Sequence, residues 1–167
     1  MTFLKTADSI YRYLHEGWAI PLLAVGEGDA LDDEDPCHLL KISLDTGDVR
    51  LIRALPLWIS LLDSLPPADA SFDEQDRRRI AYLCDLGRRL EALRNSFTPM
   101  RRQSWTVSIV GLGPRNWEVR ILLVQDQKNQ VAQSDIGHDW GILEPMDFSQ
   151  YARFQEQFLT VRSGHAR

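Results

Sequence analysis

Residues 38–53, HLLKISLDTGDVRLIR, decide the fold of this chain. Read with a period of two, HLLKISL and DVRLIR are alternating runs joined at Asp45, Thr46 and Gly47, and Gly47 can supply a φ > 0 position. That pattern predicts a β-hairpin. Upstream, GWAIPLLAVG (17–26) reads as an apolar strand in which Pro21 favours an edge position or a bulge. Downstream, PLWISLLDSL (56–65) opens on Pro56 and spaces Trp58, Leu61, Leu62 and Leu65 as a short helix.

The same reading extends to both ends. Phe3, Leu4, Ala7, Ile10, Tyr11 and Leu14 recur at the spacing of one buried helix face, with Gly17 as a stop. Ser71 and Glu74 form a capping-box pattern ahead of a long helix whose apolar face is Ile80, Leu83, Leu86, Leu90, Leu93 and Phe97. SWTVSIVGLGPRNWEVRILLV (104–124) alternates on either side of GLGPRN and predicts a second hairpin, its ILLV end central in the sheet. Residues 126–146 read as a polar excursion holding at most one short strand. Asp147 and Gln150 then cap a last helix that places Phe148, Tyr151, Phe154 and Phe158 on one stripe, a core feature before an interface.

Together these elements predict an α+β fold: an antiparallel sheet of about five strands from two hairpin regions, covered by N-terminal, central and C-terminal helices. A length of 167 residues with 44% hydrophobic and 26% charged composition fits one domain over 1–167, with an acidic loop at 26–36 and a frayed tail at 162–167. The element order is loosely similar to that of the small acidic chaperones of type III secretion systems, a resemblance of order across most of the chain without a shared motif.

Composition narrows the function. Two cysteines, Cys37 and Cys84, form neither a disulfide framework nor a zinc-ligand spacing, and no window approaches a membrane span, so a bacterial-type cytoplasmic protein is expected. The net charge of −5 is segregated: residues 1–76 balance to −10, residues 77–102 to +6 and residues 103–167 to −1. The basic block lies on the long helix. At 100° per residue Arg77, Arg78, Arg88 and Arg89 fall about 60° to 180° from Ile80, opposite the apolar face. Arg101 and Arg102 follow Pro99 with no local acid, and Arg115 sits at the tip of the second predicted hairpin. These seven arginines are the candidate partner-binding residues.

The leading expectation is a non-enzymatic binding or adaptor protein acting through protein contacts, of the immunity, antitoxin or assembly-chaperone type, with a homodimer as one form of contact. The alternative is a nucleic-acid-associated protein that sets its arginine row along successive phosphates. A second alternative is a small enzyme using His138 and Asp139 in GHDWG, half of a general-base arrangement that lacks a nucleophile. Asp32, Asp33, Asp35 and His38 are the weak metal candidates, because no register of the acidic loop gives a calcium-loop pattern. No cofactor is expected. A solvated helix face, with Glu91 paired to Arg88 and Asp85 to Arg88 or Arg89, is the bland reading of the arginine row.

Overall fold

The computed structural model of the protein describes residues 9–15, 20, 36–62, 65, 67–95, 106, 108–114, 117–125, 129–131 and 134–165. The chain is mostly helical: α1 (9–15), α2 (Pro36–Thr46), α3 (Val49–Leu61), α4 (Glu74–Asn95), a helical turn α5 (108–110), β1 (Ile121–Leu122), α6 (Asp135–Trp140), β2 (Ile142–Leu143) and α7 (Phe148–His165). Among the described residues the sheet consists of β1 and β2 alone, paired in parallel with Ile121 opposite Ile142 and Leu122 opposite Leu143. An isolated antiparallel bridge joins Val131 to Glu144. The five-stranded antiparallel sheet is therefore overturned, and the similarity of element order that depended on it goes with it.

The physical reason lies in residues 38–53. Pro36 opens α2, Gly47 adopts φ +65° just past its end, and Asp48 caps α3 by accepting from the Arg50 and Leu51 amides at 3.0 and 3.3 Å. What resembles a hairpin turn is a helix stop followed directly by a helix start. The apolar residues agree: Cys37, Leu40 and Leu44 face inward with Leu39 and Ser43, at helical spacing. Leu51, Ile52, Leu55, Trp58 and Ile59 continue one helical pattern through Pro56, so the strand and the short helix expected on either side of that proline are one helix.

Helix α3 is buried on nearly every side from Leu51 to Ser60, the signature of a central helix. Its main partner is α4, which crosses at Gly87, where an added Cβ would lie 2.8 Å from Ile59 Cγ2 and 3.0 Å from the Pro56 carbonyl. Helix α7 packs on both, and its aromatic stripe is core: Tyr151, Phe154 and Phe158 are buried and Phe148 is half-buried. One continuous hydrophobic core runs from Ile10 of α1 to Phe158 of α7.

Other expectations fare unevenly. The α1 face (Ile10, Tyr11, Leu14) and the Asp147 cap of α7 are as expected, the cap accepting from the Gln150 amide at 3.2 Å. The α4 cap is Asp73, whose carboxylate accepts from the Asp76 amide at 2.8 Å, and not Ser71. Residues 162–165 of the expected frayed tail belong to α7. The strand expected at 17–26 and the acidic loop lie outside the described residues, except that Ile20 is buried and Pro36 starts α2. Among the described residues no helix is long and apolar enough to cross a membrane.

Candidate functional site

The arginine-rich helix is not a free basic face. Arg78 is 2% exposed, and its guanidinium donates to three backbone carbonyls: Trp140 at 2.9 Å, Val119 at 2.5 Å and Gly141 at 3.0 Å. It also lies over the Trp117 ring, 4.6 Å from the centroid. Arg77 donates to the carbonyls of Phe72 (3.0 Å), Val110 (2.7 Å) and Asp69 (2.8 Å). Arg79, buried as well, donates to the Leu122 carbonyl at 2.8 Å and pairs with Asp76.

These side chains satisfy the backbone of the irregular 109–143 region, which the second predicted hairpin had supplied with a strand partner. Buried carbonyls need donors from somewhere. Here α4 provides them, so Val119 and Leu122 stay bonded without the antiparallel neighbour expected from their alternation.

The remaining α4 polar groups are also engaged. Arg88 pairs with Glu91, as the spacing predicts. The Asp85 carboxylate accepts from the Thr106 hydroxyl at 2.5 Å and the Trp140 indole at 2.6 Å, and Arg89 acts on it only as a lesser charge. Burial raises its pKa, although both hydrogen bonds pull the other way. Arg89 lies over the Phe148 ring at 5.8 Å. Arg94 ties α4 to α3 and α7 through Ser60 and Gln155, each at 3.1 Å. Tyr82 donates to the buried Glu144 at 2.8 Å, and Glu144 also takes the Ser134 amide at 2.9 Å and the Ser134 hydroxyl at 2.5 Å. Burial pushes the Tyr82 hydroxyl well above its ordinary range. This is a closed structural network.

The enzyme candidates lie on α6, where Asp139 feels the charges of Asp135, Arg89 and His138. His138 is exposed and Asp139 half-buried on the six-residue α6, and neither lines the clefts described below. Partial burial, then repulsion from Asp135, raises Asp139, while Arg89 and His138 oppose the shift. Of the metal candidates, His38 contacts Asp69 at 3.6 Å, whereas Asp32, Asp33 and Asp35 lie outside the described residues. Among the described residues no cluster of His, Cys, Asp and Glu has the arrangement of a metal site. Cys84 is fully buried, with its thiol pKa raised by desolvation. Arg101, Arg102 and Arg115 lie outside the described residues.

A different set of arginines converges. A cleft of about 400 Å³ opens between the start of α3 and the face of α7. Val49, Pro145, Met146 and Phe154 form its apolar wall, Gln150 and Gln157 its neutral polar part, and Arg50, Arg53 and Arg153 its charge. Arg50 and Arg153 are exposed and Arg53 half-buried, its guanidinium 4.9 Å from the Phe154 centroid. Among the described residues none of the three forms an ion pair, and Arg53 Nε is buried without a hydrogen-bond partner. Two capping acids adjoin the lining residues Val49 and Met146, and the Ser149 hydrogen bond first, with the Arg153 charge among the lesser causes, lowers the Asp147 carboxyl. Asp48 takes the Tyr11 hydroxyl at 2.7 Å besides the two α3 amides, and Asp147 takes Ser149 and the Gln150 amide. Desolvation first, and then the Asp48 carboxylate, raise the Tyr11 hydroxyl, which stays a donor. On the other side of α7, Leu93, Ala152 and Leu159 line a second groove, and Arg153 belongs to both.

Neither Arg50, Arg53 nor Arg153 was among the seven sequence candidates. The missed signal is periodicity. On a strand, positions 50 and 53 point to opposite faces, whereas on a helix they share one. Comparison of the chain with family models, curated proteins and solved structures yields no match, so the reading rests on this geometry.

Proposed function

We propose that the protein is a non-enzymatic binding or adaptor protein acting through a protein contact, and that the α3–α7 cleft seats an acidic segment of the partner. One observation supports this above the others: in a chain of net charge −5, three arginines line one cleft and none of them forms a close ion pair among the described residues, while the described arginines of α4 are engaged. Guanidinium forks left open at a concave surface are suited to carboxylates or phosphates, which they hold through paired hydrogen bonds. The contact is electrostatically steered and weakens as salt rises.

The test is comparative affinity capture from the native cell using wild type and the double variant Arg50→Glu, Arg153→Glu. Both positions are exposed, so melting temperature should stay near wild type. The reading expects a captured protein with an acidic segment to be lost selectively with the double variant and recovered by the wild type. An identical captured set for both proteins would refute it.

A further inference from the structure

We infer that the α3–α7 cleft is a phosphate-monoester site, built to take a phosphorylated side chain of the partner. This rests on the binding role proposed above and names the group recognised. Arg50 lies in the first turn of α3 and Arg53 one turn further, beside the positive end of the helix dipole. A cation there is opposed by the helix, and acids are what first turns favour. Met146 and Gln150 bring the amino-terminal turn of α7 to the same cleft, and Arg153 lies one turn beyond it. Three guanidiniums and two helix starts thus share one volume of about 400 Å³. Asp48 and Asp147 cap those starts and hold the Tyr11 and Ser149 hydroxyls and backbone amides; Asp147 also feels the Arg153 charge, so an incoming anion must outcompete it for that guanidinium.

An arrangement of this kind favours charge delivered at one point. Carboxylates on the same face of an extended acidic segment repeat about 7 Å apart and bring one negative charge each. A phosphate monoester brings close to two, on three strong acceptor oxygens, and matches converging guanidiniums bidentately. Arginine clusters that read phosphorylated residues use this chemistry. The apolar wall of Val49, Met146 and Phe154 then has a role, because it receives the carbon skeleton that carries the phosphate. Arg53 is held against Phe154 at 4.9 Å, which restricts its guanidinium before the ligand arrives.

Fluorescence anisotropy tests this with short labelled peptides of one sequence carrying phosphoserine, phosphotyrosine or glutamate at the centre, competed with free phosphoserine, phosphotyrosine or inorganic phosphate. The expected result is that a phosphopeptide binds at least about ten-fold tighter than its glutamate counterpart. Arg50→Gln and Arg153→Gln should each weaken it several-fold, and Arg53→Lys, which keeps the charge but removes the fork, should erase most of the preference for phosphate. Equal binding of the glutamate peptide would overturn the phosphate assignment and leave the acidic-segment reading standing. Free phosphate esters competing as strongly as the phosphopeptide would overturn the assignment to a partner's side chain. No binding of any peptide, with inorganic phosphate also inert, would overturn the site and the proposed function together.

Discussion

Arg78→Met asks whether the arginines of α4 brace the fold. Methionine keeps the aliphatic stem but removes a guanidinium that serves three carbonyls, Val119, Trp140 and Gly141, inside a site where Arg78 is 2% exposed. Hydrogen bonds from a charged donor are each worth roughly 1.5–3 kcal/mol, and the stacking on Trp117 adds about 1 kcal/mol. Against that gross loss of roughly 5–10 kcal/mol, removing the buried charge relieves several kcal/mol of desolvation. The net expectation is about 3–4 kcal/mol, a large effect for one substitution. Urea unfolding followed by circular dichroism at the helix band measures it, since Trp117 beside the altered side chain would distort fluorescence. A loss under about 1 kcal/mol would refute the bracing role, because a solvated arginine costs little to replace.

Asp48→Ala should cost about 2 kcal/mol, since it removes the α3 cap and the acceptor of the buried Tyr11 hydroxyl; a neutral result in urea titration would argue against the helix start at this residue. Asp85→Asn probes pH. Burial raises the folded pKa of Asp85 above its ordinary 3.8, so the folded chain keeps a proton that the unfolded chain has lost, and the contribution favours folding at low pH. It is lost as pH rises from 3.8 through the folded value, so the stability of wild type relative to Asp85→Asn should fall across that window in paired titrations. A rise there would contradict the assignment.

Much of the helical skeleton was legible. Burial follows the described parts of the α1, α4 and α7 stripes except at Leu93, which is 58% exposed; Phe97 of the α4 stripe and Phe3, Leu4 and Ala7 of the α1 stripe lie outside the described residues. The errors came where short apolar runs satisfy two periods at once. DVRLIR alternates as a strand, yet Leu51, Ile52, Leu55, Trp58 and Ile59 also fit a helix, and only the run through Pro56 separates the readings. Treating Pro56 as a boundary cut α3 in two. The ILLV run (121–124) has strand character, but β1 covers only Ile121 and Leu122 and pairs in parallel across α6, while Arg78 and Arg79 take the carbonyls of Val119 and Leu122.

The site was less legible than the fold for a related reason. A cluster of arginines in sequence draws attention, while Arg50, Arg53 and Arg153 become neighbours only through tertiary packing of α3 against α7. Helical projection placed Arg78 opposite the apolar face, which is true, but that face is covered by the 109–143 region and is interior. A polar face on a central helix is a set of hydrogen bonds waiting for backbone, and projection alone does not separate it from a solvated one.

The division of arginines into bracing and binding sets is the central claim, and one paired measurement addresses it. The affinity of a single acidic peptide at low salt is compared among wild type, Arg50→Gln with Arg153→Gln, and Arg88→Gln with Arg89→Gln, which alters two α4 arginines of the basic block. The account predicts that the cleft pair loses at least about ten-fold in affinity, while the α4 pair binds like wild type. An equal loss for both pairs, or a loss for the α4 pair alone, would contradict it.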